Sequence, residues 1–290
     1  MNYENLKKHL RGLKKTYNVR IIGKTNLKRN IYAVEKVVDL NLPTAFLVAS
    51  VHARENITAD LVLRFFESGI FDSIKNFNII ALPMLNPDGV EICYEGINSI
   101  PKPKRKRFLQ KFGKNNFKLW KANARGVDLN NNFNAKFNTN VGSAVPSSSG
   151  FPGKRAESEA ETKALLKYIK KFKVFFTISY HSKGEEIYFN FFQSRSVLQR
   201  DKIIAERFSN STGYVIKNVE DVSSGGFKDF CVQSLQIPSI TVEVGDDRLS
   251  HPIKEAELEN IFEKHKSLAS DLDFAYNVVE ESLWHMKKSL

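Results

Sequence analysis

The sequence of 290 residues carries 44 Lys and Arg against 32 Asp and Glu, which gives a formal net charge of +12, and 42% of its residues are hydrophobic. This hydrophobic share is too high for a disordered chain, and no apolar run approaches the roughly 18 residues that a membrane-spanning helix needs. We therefore expect a soluble globular protein. No repeat, low-complexity tract or linker divides the sequence, so residues 1–290 are predicted to form one domain.

The first third of the chain alternates between helical and extended patterns. Leu6, Leu10 and Leu13 share one face of a predicted opening helix. Thr44–Ser50 is apolar on both faces, which is typical of a strand at the centre of a covered sheet. Further patterns predict strands at Ile31–Val38 and Phe77–Leu82 and a helix at Ile57–Phe66. This alternation predicts an α/β sheet with helices on both faces.

The next segment has the composition of a long loop. Asn86-Pro87-Asp88-Gly89 is a strong turn signal, and residues 86–153 are predicted to be mostly loop. No acidic residue lies between Glu95 and Asp128, whereas the same stretch holds ten basic residues: Lys102, Lys104, Arg105, Lys106, Arg107, Lys111, Lys114, Lys118, Lys121 and Arg125. Such a block can be a solvated loop, a site for polyanions or acidic ligands, or a localisation signal, and composition alone does not choose.

Regular structure is predicted again after Gly153. Ser158–Lys171 has acidic residues in its first turn and lysines in its last, as the dipole of a helix favours. The remaining patterns predict strands at Val174–Tyr180 and Ser239–Val244, a helix at Gln199–Thr212, and one long or two shorter helices over residues 253–285.

The two cysteines and the first residues bear on the compartment. Cys93 and Cys231 are far apart in sequence and each has apolar neighbours, so two reduced core thiols are predicted. Residues 1–15 lack the continuous apolar run of a secretory signal. Both features favour a reducing, cytoplasmic location.

Candidate metal ligands stand at the ends of predicted strands. His52 and Glu55 follow directly on Thr44–Ser50, at the edge of an α/β sheet where ligands generally bind. His181 closes the strand Val174–Tyr180 in the same way. Catalytic zinc commonly takes three His and Glu ligands and leaves one position for water, and these three residues would complete that set. Each pattern alone is also common among ordinary surface residues.

Glu243 is the most informative residue because it belongs to a near-continuous apolar strand. An ionised carboxylate there costs several kcal/mol unless it is paired or solvated in a cleft. Its position at the end of the strand places it with the three candidate ligands and indicates metal-assisted hydrolysis, in which a glutamate that is not a ligand moves protons. The remaining histidines are predicted to be surface residues: His9, His251, His265 and His285.

From roughly Ile22 to Leu268 the chain resembles the zinc carboxypeptidase family, which includes pancreatic carboxypeptidase A. The resemblance rests on an ordered set of motifs: His52-Ala53-Arg54-Glu55, Asn86-Pro87-Asp88-Gly89, Leu119-Trp120-Lys121, Gly126-Val127-Asp128-Leu129-Asn130, Ser179-Tyr180-His181-Ser182, Ser224-Gly225-Gly226 and Thr241-Val242-Glu243. It implies a single-domain α/β/α sandwich with a mixed sheet. It also implies one zinc ion per chain, held by His52, Glu55 and His181, with Glu243 as general base and acid.

The same resemblance assigns roles around the metal. Arg54 resembles the family arginine that contacts the substrate backbone, and Asp128 resembles the carboxylate that orients the first zinc-binding histidine. The arginine that stabilises the oxyanion in the family is replaced by Lys121, a point charge instead of a fork. Arg125 is near enough in sequence to substitute for it, and the sequence does not choose between the two.

Two departures from the family bear on the substrate. Carboxypeptidases hold the terminal carboxylate of the substrate with an Asn-Arg pair, but here the pair is Asn130-Asn131, so Asn130 remains for substrate binding and the arginine is missing. The tyrosine expected shortly before the Gly-Gly turn is also absent, and Asp221 stands near its place.

These departures are most similar to a bacterial subgroup, the γ-D-glutamyl-diaminopimelate peptidases and murein peptide amidases. Their substrates carry several carboxylates that need not occupy a C-terminal clamp. Lys228, two residues after Gly226, falls where family members contact the side chain beyond the scissile bond, and a cation there suits an acidic group. A solvated helix lysine is the alternative interpretation of Lys228.

The leading hypothesis is a zinc peptidase that cleaves the γ-D-Glu–diaminopimelate amide of acidic peptidoglycan stem peptides, with no nucleic-acid or membrane partner. An ordinary metallocarboxypeptidase acting on peptide C-termini is the first alternative. The second is an anionic-polymer binder with a vestigial metal site, since Phe108, Phe112 and Phe117 accompany the cations. The complete catalytic set argues against that binder, and the basic block is then expected to form one wall of a cleft that attracts carboxylate-rich peptides.

Overall fold

The computed structural model describes residues 1–113, 116–139, 142–217 and 225–288. Within these ranges the strands are β1 (Asn18–Lys24), β2 (Asn30–Lys36), β3 (Thr44–Val48), β4 (Asn78–Leu82), β5 (Val174–His181), β6 (Glu186–Tyr188), β7 (Val215–Ile216) and β8 (Ser239–Glu243). The α-helices are α1 (Tyr3–Leu13), α2 (Ile57–Glu67), α3 (Pro87–Glu95), α4 (Lys102–Phe112), α5 (Ala160–Ile169), α6 (Arg195–Thr212), α7 (Phe227–Ser234), α8 (Leu258–Lys264) and α9 (Leu268–Lys288). None of the described helices is long and apolar enough to cross a membrane.

The strands form one mixed sheet in the order β1-β2-β4-β3-β5-β8-β6-β7. Its centre is parallel, since β4, β3, β5 and β8 all run in one direction. Antiparallel pairs extend the sheet on both sides, where β2 joins β4 and β6 joins β8. The carboxyl ends of β3, β5 and β8 therefore meet at one edge, which is where an α/β sheet binds its ligands.

Both faces of the sheet are buried, as the apolar composition of Thr44–Ser50 predicted. Ala45 and Leu47 of β3 pack on one side with α1, α2, α6, α8 and α9, and Phe46 and Val48 pack on the other side with α5 and α7. All four side chains are completely buried. The fold is thus an α/β sandwich with a mixed sheet between helical layers, and the expected fold class is confirmed.

The prediction that residues 86–153 are mostly loop holds for the described residues, but it missed two helices, since α3 and α4 lie inside that range. The Asn-Pro-Asp-Gly signal starts a helix: Pro87 occupies its first turn, and the Asn86 side chain accepts a hydrogen bond from the Gly89 amide at 3.0 Å. Proline at the start of a helix and an asparagine cap are as favourable as they are in a turn, so the sequence signal is shared.

The basic block owes its helix to aromatic packing. Phe108 and Phe112 of α4 are buried, and their rings lie 4.8 Å apart between centroids. Phe112 meets Trp120 edge to face at 5.1 Å. A helix whose other positions are mostly Lys and Arg is therefore held to the protein by an aromatic cluster directly before Lys121. The phenylalanines that suggested stacking on nucleic-acid bases instead stack on each other and on Trp120.

Cys93 and Cys231 are both buried free thiols, as predicted. Burial raises the pKa of each thiol to about 12, so both remain protonated and unreactive at neutral pH.

Candidate active site

His52 and Glu55 lie in the turn between β3 and α2, and both are buried, at 5% and 3% exposure. Neighbouring segments hold the backbone of this turn. Asn86 donates from its side chain to the Val51 carbonyl at 3.2 Å, and the Ala53 amide donates to the carbonyl of Lys121 at 3.1 Å. The turn is therefore held on its two sides by Asn86 and Lys121, which are both distant from it in sequence.

His181 at the end of β5 completes a compact group with these two residues. Its Nδ1 lies 3.0 Å from Glu55 Oε2 and 3.1 Å from His52 Nδ1, and His52 Nδ1 lies 2.9 Å from Glu55 Oε1. One ligand atom from each residue lies within 4.8 Å of the others. The structure thus brings together all three predicted metal ligands.

The group has the size and chemistry of a zinc site. Zn–N and Zn–O bonds of 2.0–2.2 Å in a tetrahedron place neighbouring ligand atoms about 3.3 Å apart, close to the separations seen here. The Nε2 atom of each ring has another partner: Asp128 Oδ1 at 3.1 Å for His52, and Ser179 Oγ at 3.0 Å for His181. Both Nδ1 atoms are thereby turned toward the metal position, as the outer contacts of zinc-binding histidines require.

Asp128 connects the group of His52, Glu55 and His181, called the metal group below, to the basic segment. Besides His52, its carboxylate accepts a hydrogen bond from the Gly150 amide at 3.0 Å and lies 3.6 Å from Lys121 Nζ. Burial alone would raise the pKa of Asp128, but Lys121, His52 and the Gly150 amide outweigh burial and hold that pKa well below its usual range. Asp128 is therefore ionised and positioned to orient the His52 ring.

Glu243 ends β8, where its backbone pairs with His181 on one side and with Glu186 on the other. Burial of the carboxyl raises the pKa of Glu243 to about 7, although His181 and Lys121 act to lower it. The nearby carboxylates of Glu55 and Glu186 also raise it. A carboxyl group with this pKa can both take up and release a proton near neutral pH.

The two residues predicted as alternatives for oxyanion stabilisation have different ion-pair partners. Lys121 Nζ faces Asp128, and the attraction of Asp128 and Glu55 raises its pKa against the opposing effect of burial, so Lys121 is a cation. Arg125 instead pairs with Glu159, with Nε 3.6 Å from Oε2, and its side chain is half exposed. Lys121 is therefore the one of the two whose charge acts directly on the metal group.

The three predicted substrate contacts have different surroundings. Arg54 is partly exposed, but its Nε atom is buried and has no hydrogen-bond partner among the described residues. Asn130 accepts a hydrogen bond from the Phe227 amide at 3.2 Å and so caps the start of α7. Lys228 is only 6% exposed and donates to the Asn190 carbonyl at 2.8 Å. The alternative that Lys228 is a solvated helix lysine is therefore wrong.

Two features of the site escaped the sequence analysis. Ser179, which holds the His181 ring, lies two residues before it on the same face of β5, and this spacing was the available signal. The prediction that the other histidines lie at the surface was wrong for His265, which is 3% exposed, and incomplete for His251, whose Nδ1 is buried. The His285 side chain, together with Lys114, Asp221 and Ser224, lies outside the described residues.

A mixed α/β sheet with a buried His-Glu-His group at its carboxyl edge and a glutamate of raised pKa beside it has the architecture of a metal-dependent hydrolase. A family model described as zinc carboxypeptidase matches residues 4–267 of the sequence. The chain belongs to the zinc carboxypeptidase family. It is accordingly a zinc-dependent metallopeptidase, as the resemblance implied, and a binder with a vestigial site is not supported.

Individual relatives cover most of the chain. It is 26% identical over 233 residues to gamma-D-glutamyl-L-diamino acid endopeptidase 1 of Lysinibacillus sphaericus, which covers 74% of the chain but 57% of that relative. The chain therefore spans less than two thirds of the length of this relative. Bovine thrombin-activatable fibrinolysis inhibitor has a similar fold, with a TM-score of 0.76 at 18% identity, covering 96% of each chain. The murein-tripeptide amidase of Escherichia coli O157 is also similar, with a TM-score of 0.58 at 18% identity, covering 88% of this chain and 91% of the amidase.

Proposed function

We propose that the protein hydrolyses the amide between the γ-carboxyl of D-glutamate and diaminopimelate in peptidoglycan stem peptides. Its similarity to an endopeptidase named for γ-D-glutamyl-diamino acid bonds supports this substrate class. In such a peptide the scissile carbonyl belongs to a side chain, and the residues on both sides carry free carboxylates.

The observation that carries the proposal is the residue at position 131. Carboxypeptidases of the resembling family place an arginine there to hold the free C-terminus, and this chain has Asn131. An amide cannot supply the charged, two-pronged contact that an arginine gives a carboxylate. The cations near the site are instead Lys121, which acts to lower the pKa of His52, and Arg54, which acts to lower the pKa of His251. This distribution favours a substrate whose carboxylates lie elsewhere than at a C-terminal clamp.

The residues of the site divide the work of amide hydrolysis. A zinc ion held by His52, Glu55 and His181 would lower the pKa of a water molecule and polarise the scissile carbonyl. Glu243 takes a proton from the attacking water on its carboxylate and passes it to the departing amine nitrogen. Lys121 stabilises the negative charge that develops on the carbonyl oxygen.

The supporting residues set positions and do not take part in proton transfer. Asp128 keeps the His52 ring in one orientation through its bond to Nε2. Arg54, whose Nε has no partner among the described residues, is available to contact the substrate. Lys228 is buried in an ion pair with Asp229, at 2.5 Å between Nζ and Oδ1, so most of its charge is balanced within the chain.

The basic segment contributes charge to the same cleft in this proposal. The aromatic cluster of Phe108, Phe112 and Trp120 fixes α4 against the segment that carries Lys121, so the charges of the helix are expected near the site. A positive wall of this kind raises the local concentration of carboxylate-rich peptides and speeds their association.

An ordinary metallocarboxypeptidase is the second candidate, because the matching family model carries that description. Incubating the zinc-loaded protein with L-Ala-γ-D-Glu-diaminopimelate and, separately, with an N-blocked dipeptide, followed by mass spectrometry, distinguishes the two. We expect release of diaminopimelate from the tripeptide and little cleavage of the dipeptide. Cleavage of the dipeptide alone would contradict the proposal and favour the carboxypeptidase.

A further inference from the structure

Three buried polar atoms beside Glu55 lack hydrogen-bond partners within the described part of the chain. They are Nε of Arg54, Oγ of Ser182 and Nδ1 of His251. Arg54 directly precedes Glu55, and the Ser182 amide donates to Glu55 Oε2 at 3.3 Å. Each atom can donate a hydrogen bond, and leaving a buried donor unpaired costs about 1–3 kcal/mol. The group is therefore expected to meet an acceptor from outside the chain.

His251 reaches this region through the loop that follows Glu243. The loop is pinned to the segment after His181 by two contacts, the Gly184 amide with the Gly245 carbonyl at 2.8 Å and Lys183 Nζ with Asp247 Oδ1 at 2.9 Å. Ile253 closes the loop over Gly245, whose positive φ of 82° and lack of Cβ permit this approach. The loop therefore lies against the strand ends that carry the metal group.

The charges around His251 agree with this position. Burial lowers its pKa to about 4, with Arg54 and Lys183 acting in the same direction and Glu55 opposing them. The imidazole is then neutral, and a neutral imidazole always carries one N–H donor. One arginine, one hydroxyl and one imidazole consequently form a set that is rich in donors and carries positive charge.

A carboxylate is the ligand that this set fits best. It offers two oxygens and about four lone-pair sites, enough to accept from three separate donors, and its negative charge pairs with the Arg54 guanidinium. A γ-linked glutamyl residue has such a group close to the bond that is cut. Its free α-carboxylate is separated from the scissile carbonyl carbon by three carbon atoms, about 5 Å when extended. An α-linked residue other than glutamate has no carboxylate at that distance. An α-linked glutamate has its side-chain carboxylate at the same distance, but its amide nitrogen is attached to the carbon next to the scissile carbonyl and not to the carbon that bears the carboxylate.

We propose that Arg54, Ser182 and His251 bind the free α-carboxylate of the γ-linked glutamyl residue, so that this group selects γ-glutamyl bonds over ordinary peptide bonds. The inference rests on the proposed function and adds to it the residues that distinguish a γ-glutamyl bond from an ordinary peptide bond. His251 and Ser182 are specificity residues in this account and take no part in proton transfer.

Two peptides that differ only at the α-carboxylate provide the test. One is L-Ala-γ-D-Glu-diaminopimelate, and the other is the same tripeptide with the α-carboxylate converted to a carboxamide. For the unmodified zinc-loaded protein we expect kcat/KM to be at least about tenfold higher on the carboxylate, the usual worth of a charge-assisted hydrogen bond. This comparison needs no variant and so does not depend on the folding of one.

Variants then assign the preference to residues. His251→Phe is expected to reduce the preference to about threefold or less, while His251→Gln, which keeps a donor, is expected to retain more of it. His9→Gln is the matched control, because His9 belongs to α1 and its Nδ1 contacts Glu67 Oε1 of α2 at 2.5 Å, a contact that includes none of the proposed carboxylate-binding residues. Binding of both peptides to the Glu243→Gln variant, with and without His251→Phe, gives a second readout that does not require turnover.

The outcomes separate this inference from the proposed function. Equal cleavage of the two tripeptides, or an unchanged preference in His251→Phe, would overturn the inference and leave the proposed function standing. Cleavage of neither tripeptide by protein that hydrolyses an α-linked peptide would overturn both.

Discussion

Replacement of Lys121 tests which cation stabilises the oxyanion. Lys121 Nζ lies 3.6 Å from Asp128, which contacts the predicted zinc ligand His52, whereas Arg125 pairs with Glu159 and is half exposed. Loss of one donor to a developing oxyanion costs about 100- to 1000-fold in kcat. We therefore expect Lys121→Met to lower kcat on the tripeptide by about 100-fold or more, and Arg125→Met to lower it by less than about threefold.

The same ion pair creates a second effect that the assay must separate. Two unit charges 3.6 Å apart interact by about 5 kcal/mol at an effective dielectric constant near 20, before further screening by solvent. Removing Lys121 also raises the pKa of Asp128 and removes a repulsion for positive charge at His52, so zinc affinity is expected to change together with catalysis. Steady-state kinetics at saturating zinc, with metal content measured on the same samples, isolates the effect on catalysis.

Lys121→Arg serves as the conservative control, since it keeps the charge while changing its shape. Partial recovery of kcat in that variant is expected. A larger loss of kcat for Arg125→Met than for Lys121→Met, both fully loaded with zinc, would refute the reasoning.

Three further predictions follow from the surroundings of the site. Asp128→Asn should weaken zinc binding by about 10- to 100-fold, because the His52 ring loses its charged partner; competition with a chelator measures this, and unchanged affinity would count against the role of Asp128. Glu161 is completely buried, and burial raises its pKa to about 8. Its carboxyl group therefore stays protonated at neutral pH in the folded protein, whereas in the unfolded chain it ionises near pH 4.5. Its penalty is absent below pH 4.5 and grows toward pH 8, so Glu161→Gln should gain stability over the unmodified protein, on the order of 3 kcal/mol at pH 7 and little at pH 4.5, in urea unfolding followed at both pH values; a pH-independent difference would contradict the assignment. KM for the anionic tripeptide should rise with ionic strength if the basic segment attracts it, and a flat KM would argue against that role.

The central sheet could be predicted because its strands are buried on both faces. β3, β5 and β8 appear in the sequence as short apolar runs, and the polar residues that follow or end them mark the edge where ligands bind. His52, Glu55, His181 and Glu243 were found for this reason. The shorter strands β6 and β7 contain three and two residues, too few for any periodic pattern to register.

The elements that were missed depend on tertiary contacts. Residues 102–112 are dominated by Lys and Arg and have no clear apolar stripe, yet they form α4 because Phe108 and Phe112 pack against Trp120. Helix formation there is decided by packing and not by propensity. The directions of Lys121 and Arg125 were equally out of reach, since Glu159, the partner of Arg125, is distant in sequence.

The loop after Glu243 shows the same limit for function. His251 has no motif around it, and its relation to Arg54 and Ser182 arises only because Lys183 and Gly184 hold the loop against the strand ends. Spacing along the sequence identifies ligands at strand ends, but it does not identify groups that a returning loop brings to them.

The most direct test of the whole account combines metal content with hydrolysis of L-Ala-γ-D-Glu-diaminopimelate by the unmodified protein and by Glu243→Gln. The account predicts one zinc ion per chain in both proteins, release of diaminopimelate by the unmodified protein, and a loss of roughly a thousandfold in kcat for the variant. Full hydrolysis by Glu243→Gln, or hydrolysis by the unmodified protein that persists after its zinc has been removed, would contradict it.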